Sequence, residues 1–209
     1  MMSHARFISL EGLDGAGKST HLTFIRQWLQ QQGIDAVFTR EPGGTPLGEK
    51  LRDILLDIDT EATLDTETLL MFASRQELIS TVIRPQLAAG NWVVSDRFTD
   101  ATFAYQGGGR GVPTDRIAVL ENWVQQGLQP DLTILLDVPL EVARARLQGT
   151  RLPDRFEQER EDFHQRVRQM YLARAQANPQ RFLVLDASSE LADIQQRIAA
   201  ALAALQDAG

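Results

Sequence analysis

The chain lacks cysteine and has only three histidines among its 209 residues. The lack of cysteine excludes disulfides and thiolate metal sites. His4, His21 and His164 do not have the spacing of metal ligands. No apolar run approaches the roughly 20 residues of a membrane span, and the N-terminus shows no signal-peptide pattern. We therefore expect a cytoplasmic protein with no membrane partner.

The chain also has fewer basic than acidic residues. Lys and Arg total 21 against 28 Asp and Glu, giving a net charge of −7. Nucleic-acid binding needs a basic face, so we expect no nucleic-acid partner. Local arginine clusters must then serve a smaller anionic ligand.

Strand-like and helix-like patterns alternate along the whole chain, without a linker, repeat or low-complexity block. The alternation predicts right-handed βαβ units, a parallel sheet and a single domain over residues 1–209. We predict five strands, at about 6–11, 35–40, 91–96, 132–137 and 182–186. We predict helices at about 18–32, 46–57, 66–89, 114–127, 139–148, 158–177 and 190–206. Pro85 should mark a kink or a restart within the third helix.

Residues 12–19 fit the phosphate-binding pattern G-x-x-x-x-G-K-[ST] between a predicted strand and a predicted helix. Glycines let backbone N–H groups curl around an anion, and the helix N-terminus points more N–H groups at it. Lys18 adds positive charge for the β- and γ-phosphates of a nucleoside triphosphate, and the Ser19 hydroxyl can bind Mg²⁺. The predicted triphosphate-binding set is Gly12, Leu13, Asp14, Gly15, Ala16, Gly17, Lys18, Ser19 and Thr20.

Two polar segments interrupt the regular pattern, at residues 39–46 and 106–111. We interpret both as loops at the carboxyl ends of strands, where ligands of open α/β sheets bind. The third predicted strand ends in Asp96-Arg97, which suits a metal ligand beside a phosphate-binding arginine. Asp137 ends another strand and competes for the metal role. We favour Asp96, because an adjacent arginine makes sense where phosphate and metal meet.

Two further segments carry weaker signals. Phe72 and Arg75 lie three residues apart on one helical face, which would suit recognition of a nucleobase or equally a core ring with a surface arginine. The segment 148–157, with Gly149, Pro153 and two arginines, would suit a lid over phosphates or a solvated hinge.

Together these motifs resemble bacterial thymidylate kinase (dTMP kinase) over essentially the whole chain. The resemblance is carried by residues 11–19, 39–44, 72–75, 96–98 and 104–111. It implies the P-loop nucleoside monophosphate kinase fold with a short lid. It also implies transfer of the ATP γ-phosphate to dTMP, giving dTDP and ADP with Mg²⁺, in dTTP biosynthesis. A homodimer is implied as well, and apolar residues of the third predicted helix would line its interface or equally the core.

The resemblance also assigns roles in binding dTMP. Phe72 would stack on thymine, Arg75 would hydrogen-bond its edge, and Thr102 would face the base. Tyr105 would lie under C2′ of the sugar and disfavour a ribose hydroxyl. The implied acceptor set is Arg40, Arg52, Phe72, Arg75, Arg97, Thr102, Tyr105 and Gln106, with Arg97, Arg52 and Arg40 on the phosphate.

The P-loop has no arginine at its variable positions, so the chain resembles the subgroup whose lid supplies the catalytic arginine. Arg155 matches the family's lid run, and Arg151 aligns loosely. The implied catalytic set is Lys18, Arg97, Arg155, Arg151 and Asp14. From the residues themselves, Ser19 and Asp96 are the predicted metal residues, with Asp14 acting through water as the alternative to Asp96. Two other hypotheses stay open, namely a kinase for another nucleoside monophosphate or a deoxynucleoside, and a P-loop switch or assembly ATPase.

Overall fold

A computed structural model describes residues 5–147 and 154–208. Five parallel strands form one sheet in the order β2-β3-β1-β4-β5. The strands are β1 (Phe7–Gly12), β2 (Ala36–Arg40), β3 (Trp92–Asp96), β4 (Leu132–Asp137) and β5 (Phe182–Asp186). Each predicted strand is confirmed within one residue at its start and its end.

In the part of the chain that the structure describes, helices and two π-helical segments connect and cover the strands. The α-helices are α1 (Lys18–Gln31), α2 (Pro46–Leu56), α3 (Leu64–Leu78), α4 (Arg84–Ala88), α5 (Thr99–Thr102), α6 (Thr114–Gln125), α7 (Leu140–Leu147), α8 (Glu161–Ala177) and α9 (Leu191–Asp207). The π-helical segments are Ile79–Ile83 and Phe103–Gly109. None of the helices within the described ranges combines the length and apolarity needed to cross a bilayer.

The central strands β1, β3 and β4 are buried along nearly their whole length. Their continuous apolar runs are needed because helices cover both faces of the sheet. The parallel register brings the carboxyl ends of four strands to one edge. There Leu10 of β1 and Arg40 of β2 both lie opposite Asp96, and Gly12 lies opposite Leu136 of β4.

The predicted third helix, 66–89, is divided into three pieces. Helix α3 ends at Leu78, a π-helical turn follows, and α4 restarts at Arg84 with Pro85 in its first turn. Proline fits the first turn of a helix because an N–H group there has no intrahelical partner. The predicted restart at Pro85 is confirmed.

The predicted loop at 106–111 is wrong for most of its length. Residues 99–109 are helical, and the π-helical segment Phe103–Gly109 packs against α8. A Cβ on Gly108 would lie 2.8 Å from the Arg166 carbonyl oxygen of α8. The glycine run therefore permits the close approach of two helical backbones. In the sequence alone, such a run cannot be distinguished from a glycine-rich loop.

Candidate active site

The P-loop adopts the conformation that its glycines predict. Gly12, Gly15 and Gly17 all have positive φ, at 142°, 82° and 92°. A Cβ on Gly15 would collide with the Ala143 carbonyl of α7, so the loop could not close this tightly with another residue. Helix α1 begins directly after Gly17, and no side chain within residues 5–147 and 154–208 caps its N-terminus. Its first N–H groups are therefore open to an anion.

Lys18 folds back over the P-loop. Its Nζ donates to the carbonyl oxygens of Gly12 at 3.3 Å and Leu13 at 3.2 Å, and it lies 3.4 Å from Asp14 Oδ1. The ammonium group is nearly buried. Its charge is thus fixed at the centre of the loop, where a triphosphate would need it.

A cavity opens beside the P-loop. The residues that line it come from the P-loop, the segment after β2, α2, α3, the stretch 97–106 after β3, and Asp154 and Phe156. Seven predicted site residues meet there, namely Asp14, Arg52, Arg75, Arg97, Thr102, Tyr105 and Gln106.

Arg97 has a left-handed backbone, with φ of 70°. This conformation costs a non-glycine residue roughly 1–2 kcal/mol, so the surroundings must hold it. The Arg97 N–H donates to the Leu10 carbonyl at 3.0 Å, and the Ser95 hydroxyl donates to the Arg97 carbonyl at 2.6 Å. The strained turn redirects the chain after β3 and places the guanidinium in the cavity.

The Arg97 guanidinium joins the cavity to the P-loop. It donates to Asp14 Oδ1 at 2.9 Å and to the hydroxyls of Tyr105 and Tyr171 at 3.0 Å each. Burial by itself raises the pKa of Asp14, but the charges of Arg97 and Lys18 outweigh it and hold the Asp14 pKa below its usual value. Asp14 is therefore an anion between two cations.

Glu11 supports this turn from beneath. It accepts from the Phe98 N–H at 2.7 Å and from the Tyr171 hydroxyl at 2.9 Å. Burial, reinforced by the Asp100 carboxylate, raises the pKa of Glu11 to about 8. Glu11 thus ties β1 to the residue that follows Arg97.

Arg75 of α3 also lines the cavity. Its Nε donates to Glu41 Oε2 at 2.8 Å, and its Nη2 donates to the Thr102 hydroxyl at 2.9 Å. Its Nη1 is buried without a hydrogen-bond partner among the described residues. A buried, unpaired donor in a cavity is costly unless a ligand accepts from it. Arg75 is therefore held ready for an acceptor such as a carbonyl oxygen.

Phe72 does not line this cavity. It is 2% exposed and belongs to an apolar cluster with Phe103, Val112 and Ile117. Met71 lines the cavity instead. The signal for Met71 was available in the sequence, because residues four apart share a helical face at least as closely as residues three apart. The structure thus places Met71 rather than Phe72 on the cavity wall, with the Phe72 ring directly behind Arg75 at 4.7 Å, and the stacking of Phe72 on a base stays a prediction.

Arg40 is also not brought to the cavity. Its side chain is 54% exposed and donates to Glu49 Oε2 at 2.7 Å. Arg52 does line the cavity, and it donates to the Pro42 carbonyl at 2.9 Å. Of the two arginines expected to assist Arg97, the structure therefore supports Arg52 alone.

Arg155 docks on helices α2 and α3 rather than over the P-loop. Its Nε donates to the Leu55 carbonyl at 3.0 Å, and its Nη2 donates to Glu67 Oε2 at 2.7 Å. The Arg155 guanidinium is therefore already paired with a carboxylate, that of Glu67 on α3. Arg151, the other predicted lid arginine, lies outside the described residues, as do residues 148–150, 152 and 153 of the predicted lid.

The metal candidates differ in their partners. Asp137 is paired with Arg168, whose Nε and Nη2 donate at 2.6 and 2.8 Å. Asp96 Oδ1 is buried and has no hydrogen-bond partner within residues 5–147 and 154–208. Ser19 is exposed in the first turn of α1. A free carboxylate oxygen and a hydroxyl at a phosphate-binding loop fit Mg²⁺, and this difference favours Asp96 over Asp137.

Two anion-binding regions therefore meet at one edge of the sheet. The P-loop offers Lys18 and the N-terminus of α1, and the cavity offers Arg97 and Arg52. On this parallel sheet, the arrangement defines a P-loop kinase with the nucleoside monophosphate kinase fold.

Comparisons with known proteins give the family. A family model described as thymidylate kinase matches residues 10–198. Thymidylate kinase of Chromobacterium violaceum is 66% identical over 204 residues, which cover 98% of this chain and 96% of that relative. Thymidylate kinase of Neisseria meningitidis serogroup B is 58% identical over 193 residues, which cover 92% of this chain and 94% of that relative. The crystal structure of thymidylate kinase from Ehrlichia chaffeensis matches with a TM-score of 0.76 at 31% identity. The match covers 95% of this chain and 98% of that chain. The chain belongs to the thymidylate kinase family and is a phosphotransferase.

Proposed function

We propose that this chain transfers the γ-phosphoryl group of ATP to dTMP, giving dTDP and ADP. The observation that carries the proposal is the double contact of Asp14 Oδ1. Arg97 Nη2 lies 2.9 Å from this oxygen and Lys18 Nζ lies 3.4 Å from it. Lys18 of the P-loop and Arg97 of the acceptor cavity thus share Asp14 Oδ1 as a partner. A phosphate bound to Lys18 and a phosphate bound to Arg97 would therefore lie next to each other.

Electrostatics is the main problem for this reaction, because donor and acceptor are both phosphates and repel each other. Lys18, Arg97 and Arg52 bring positive charge to the space between them. The acceptor phosphate oxygen is already ionised near neutral pH, so the transfer needs no strong general base. Catalysis is then mainly positioning and charge stabilisation.

Mg²⁺ would be held by Ser19 and Asp96, and when bound it would neutralise charge on the β- and γ-phosphates. The buried free oxygen of Asp96 supports this assignment. A lid arginine would add charge at the γ-phosphate. The contacts of Arg155 with Leu55 and Glu67 favour Arg151 for that role.

In the acceptor cavity, we propose that Arg75 Nη1 donates to a carbonyl of the base and that Met71 packs on the ring. Tyr105 is held by Arg97 and Asp14 beside the phosphate-binding end, at 3.0 and 3.3 Å. Its ring would then lie near the sugar and limit space for a ribose hydroxyl.

ADP release by the purified protein tests the acceptor. We expect the fastest release with dTMP, release about 10- to 200-fold less efficient with dUMP because of the missing methyl group, and little release with UMP or AMP. Release without an acceptor should be negligible. A preference for AMP would contradict the thymine cavity, and equal release without an acceptor would favour a switch or assembly ATPase.

We also propose a cytoplasmic homodimer. The cysteine-free composition supports the compartment. Support for the dimer comes from large exposed apolar side chains on α3 and α6, including Leu69 at 53%, Val119 at 66% and Trp123 at 74% exposure. A patch of this kind on a folded chain marks an interaction surface.

The effect of Trp123→Glu on sedimentation velocity tests the dimer. A charge in an apolar interface should convert the dimer to monomer at micromolar concentration. Leu191→Glu on α9 is the matched control, since it puts the same charge on an exposed apolar residue outside α3 and α6, and it should stay dimeric. A monomeric parent protein, or a dimer that survives Trp123→Glu, would contradict the proposed interface.

A further inference from the structure

Glu67 of α3 is a buried carboxylate at which several elements converge. It is 1% exposed. Its Oε1 accepts from Gln106 Nε2 at 2.9 Å, and its Oε2 accepts from Arg155 Nη2 at 2.7 Å. Arg110 Nε lies 3.5 Å from the same Oε2. Two guanidinium groups balance the buried charge, which would otherwise be strongly destabilising.

This arrangement fixes which way the Gln106 amide points. A carboxylate oxygen with cationic donors around it only accepts, so Gln106 must turn its NH₂ group towards Glu67. Gln106 itself is 1% exposed and lines the acceptor cavity. Its carbonyl oxygen is then the group that it can offer to a ligand.

The cavity therefore presents an acceptor and a donor. The acceptor is the Gln106 carbonyl oxygen, and the donor is the unpaired Nη1 of Arg75. Thymine carries a ring N–H next to a carbonyl, which matches this pair. Cytosine carries an unprotonated ring nitrogen next to an amino group, so both contacts would be mismatched.

We propose that Glu67 is a positioning residue that sets the choice of acceptor base by fixing the orientation of the Gln106 amide. The inference rests on the proposed function, since it explains how a dTMP site rejects dCMP. Glu67 is not among the residues that line the acceptor cavity. It acts through Gln106, while Arg155 and Arg110 hold it in place.

Glu67→Gln tests this directly. The new amide offers one acceptor, which Arg155 takes as the charged donor, and one NH₂ group, which faces Gln106. Gln106 then turns its oxygen towards residue 67 and presents NH₂ to the cavity. We expect the ratio of kcat/KM for dTMP to that for dCMP to fall by at least about 10-fold, with the KM for ATP unchanged. Glu67→Asp is the conservative control and should keep a high ratio, because it still only accepts.

Gln106→Leu shows whether Glu67 acts through Gln106. In this background the ratio should already be low, and adding Glu67→Gln should change it no further. An unchanged ratio in Glu67→Gln, or an equal additional loss in the double variant, would overturn the proposal. If Glu67→Gln does not fold, the other two variants still test the proposal. A low dTMP-to-dCMP ratio in Gln106→Leu together with a high ratio in Glu67→Asp supports the role of Glu67. A high ratio in Gln106→Leu overturns it. A parent protein without a preference for dTMP would instead overturn the proposed function.

Discussion

Replacing Lys18 with alanine should lower kcat with ATP and dTMP by about 10³-fold, as loss of a preorganised charge at a phosphoryl-transfer site typically does. Lys18 is the nearly buried cation of the P-loop, and it is held by the carbonyls of Gly12 and Leu13. The variant keeps the backbone N–H groups of the loop, so ATP should still bind. Single-turnover kinetics, with ATP affinity measured separately, would separate the two effects.

Lys50→Ala is the matched control for this experiment. Lys50 is an exposed residue of α2, and its loss should leave kcat within about 2-fold, since exposed substitutions rarely matter. A Lys18→Ala variant with near-normal kcat would contradict the role of Lys18 in charge stabilisation. A variant that loses ATP affinity but turns over normally at saturation would assign Lys18 to binding alone.

Arg97→Ala should lower kcat/KM for dTMP by about 10³-fold, because Arg97 supplies the main cation of the acceptor cavity. The loss should appear in the KM for dTMP as well as in kcat, with a much smaller effect on ATP affinity. Arg97→Lys should recover part of the activity, since it restores the charge without the two-pronged geometry of the guanidinium.

Arg197→Ala on the exposed face of α9 is the control for Arg97→Ala and should leave both KM values unchanged. Thermal unfolding checks that Arg97→Ala is folded. Alanine at a φ of 70° keeps the backbone strain, so Arg97→Gly should be the more stable of the two by about 1 kcal/mol. An unchanged KM for dTMP in a folded Arg97→Ala variant would contradict the assignment of Arg97 to the acceptor phosphate.

Features set by local spacing could be predicted from the sequence. The P-loop needs glycines and a lysine at fixed intervals before a helix, and Gly12, Gly15 and Gly17 have the positive φ that this geometry requires. Buried parallel strands read as continuous apolar runs, so their bounds were predicted closely. Arg97 was found because a strand end in a parallel sheet has a known place, at the ligand-binding edge.

Features set by packing between distant segments could not be predicted in the same way. The choice between Met71 and Phe72 depends on the rotation of α3 against the π-helical segment Phe103–Gly109, and a spacing of three or four residues fits either. Arg155 forms an ion pair with Glu67, which lies 88 residues away in the sequence, and no local pattern indicates that pairing. The close approach of α8 to the glycine run likewise depends on tertiary contacts.

The fate of the γ-phosphate in a single turnover tests the central claim most directly, since ADP release alone does not distinguish transfer from acceptor-stimulated hydrolysis. With γ-³²P-labelled ATP and excess dTMP, we expect the label to appear in dTDP at the rate at which ATP disappears. Little inorganic phosphate should form, with or without dTMP. Label that appears mainly as inorganic phosphate in the presence of dTMP would contradict direct transfer between the P-loop and the acceptor cavity.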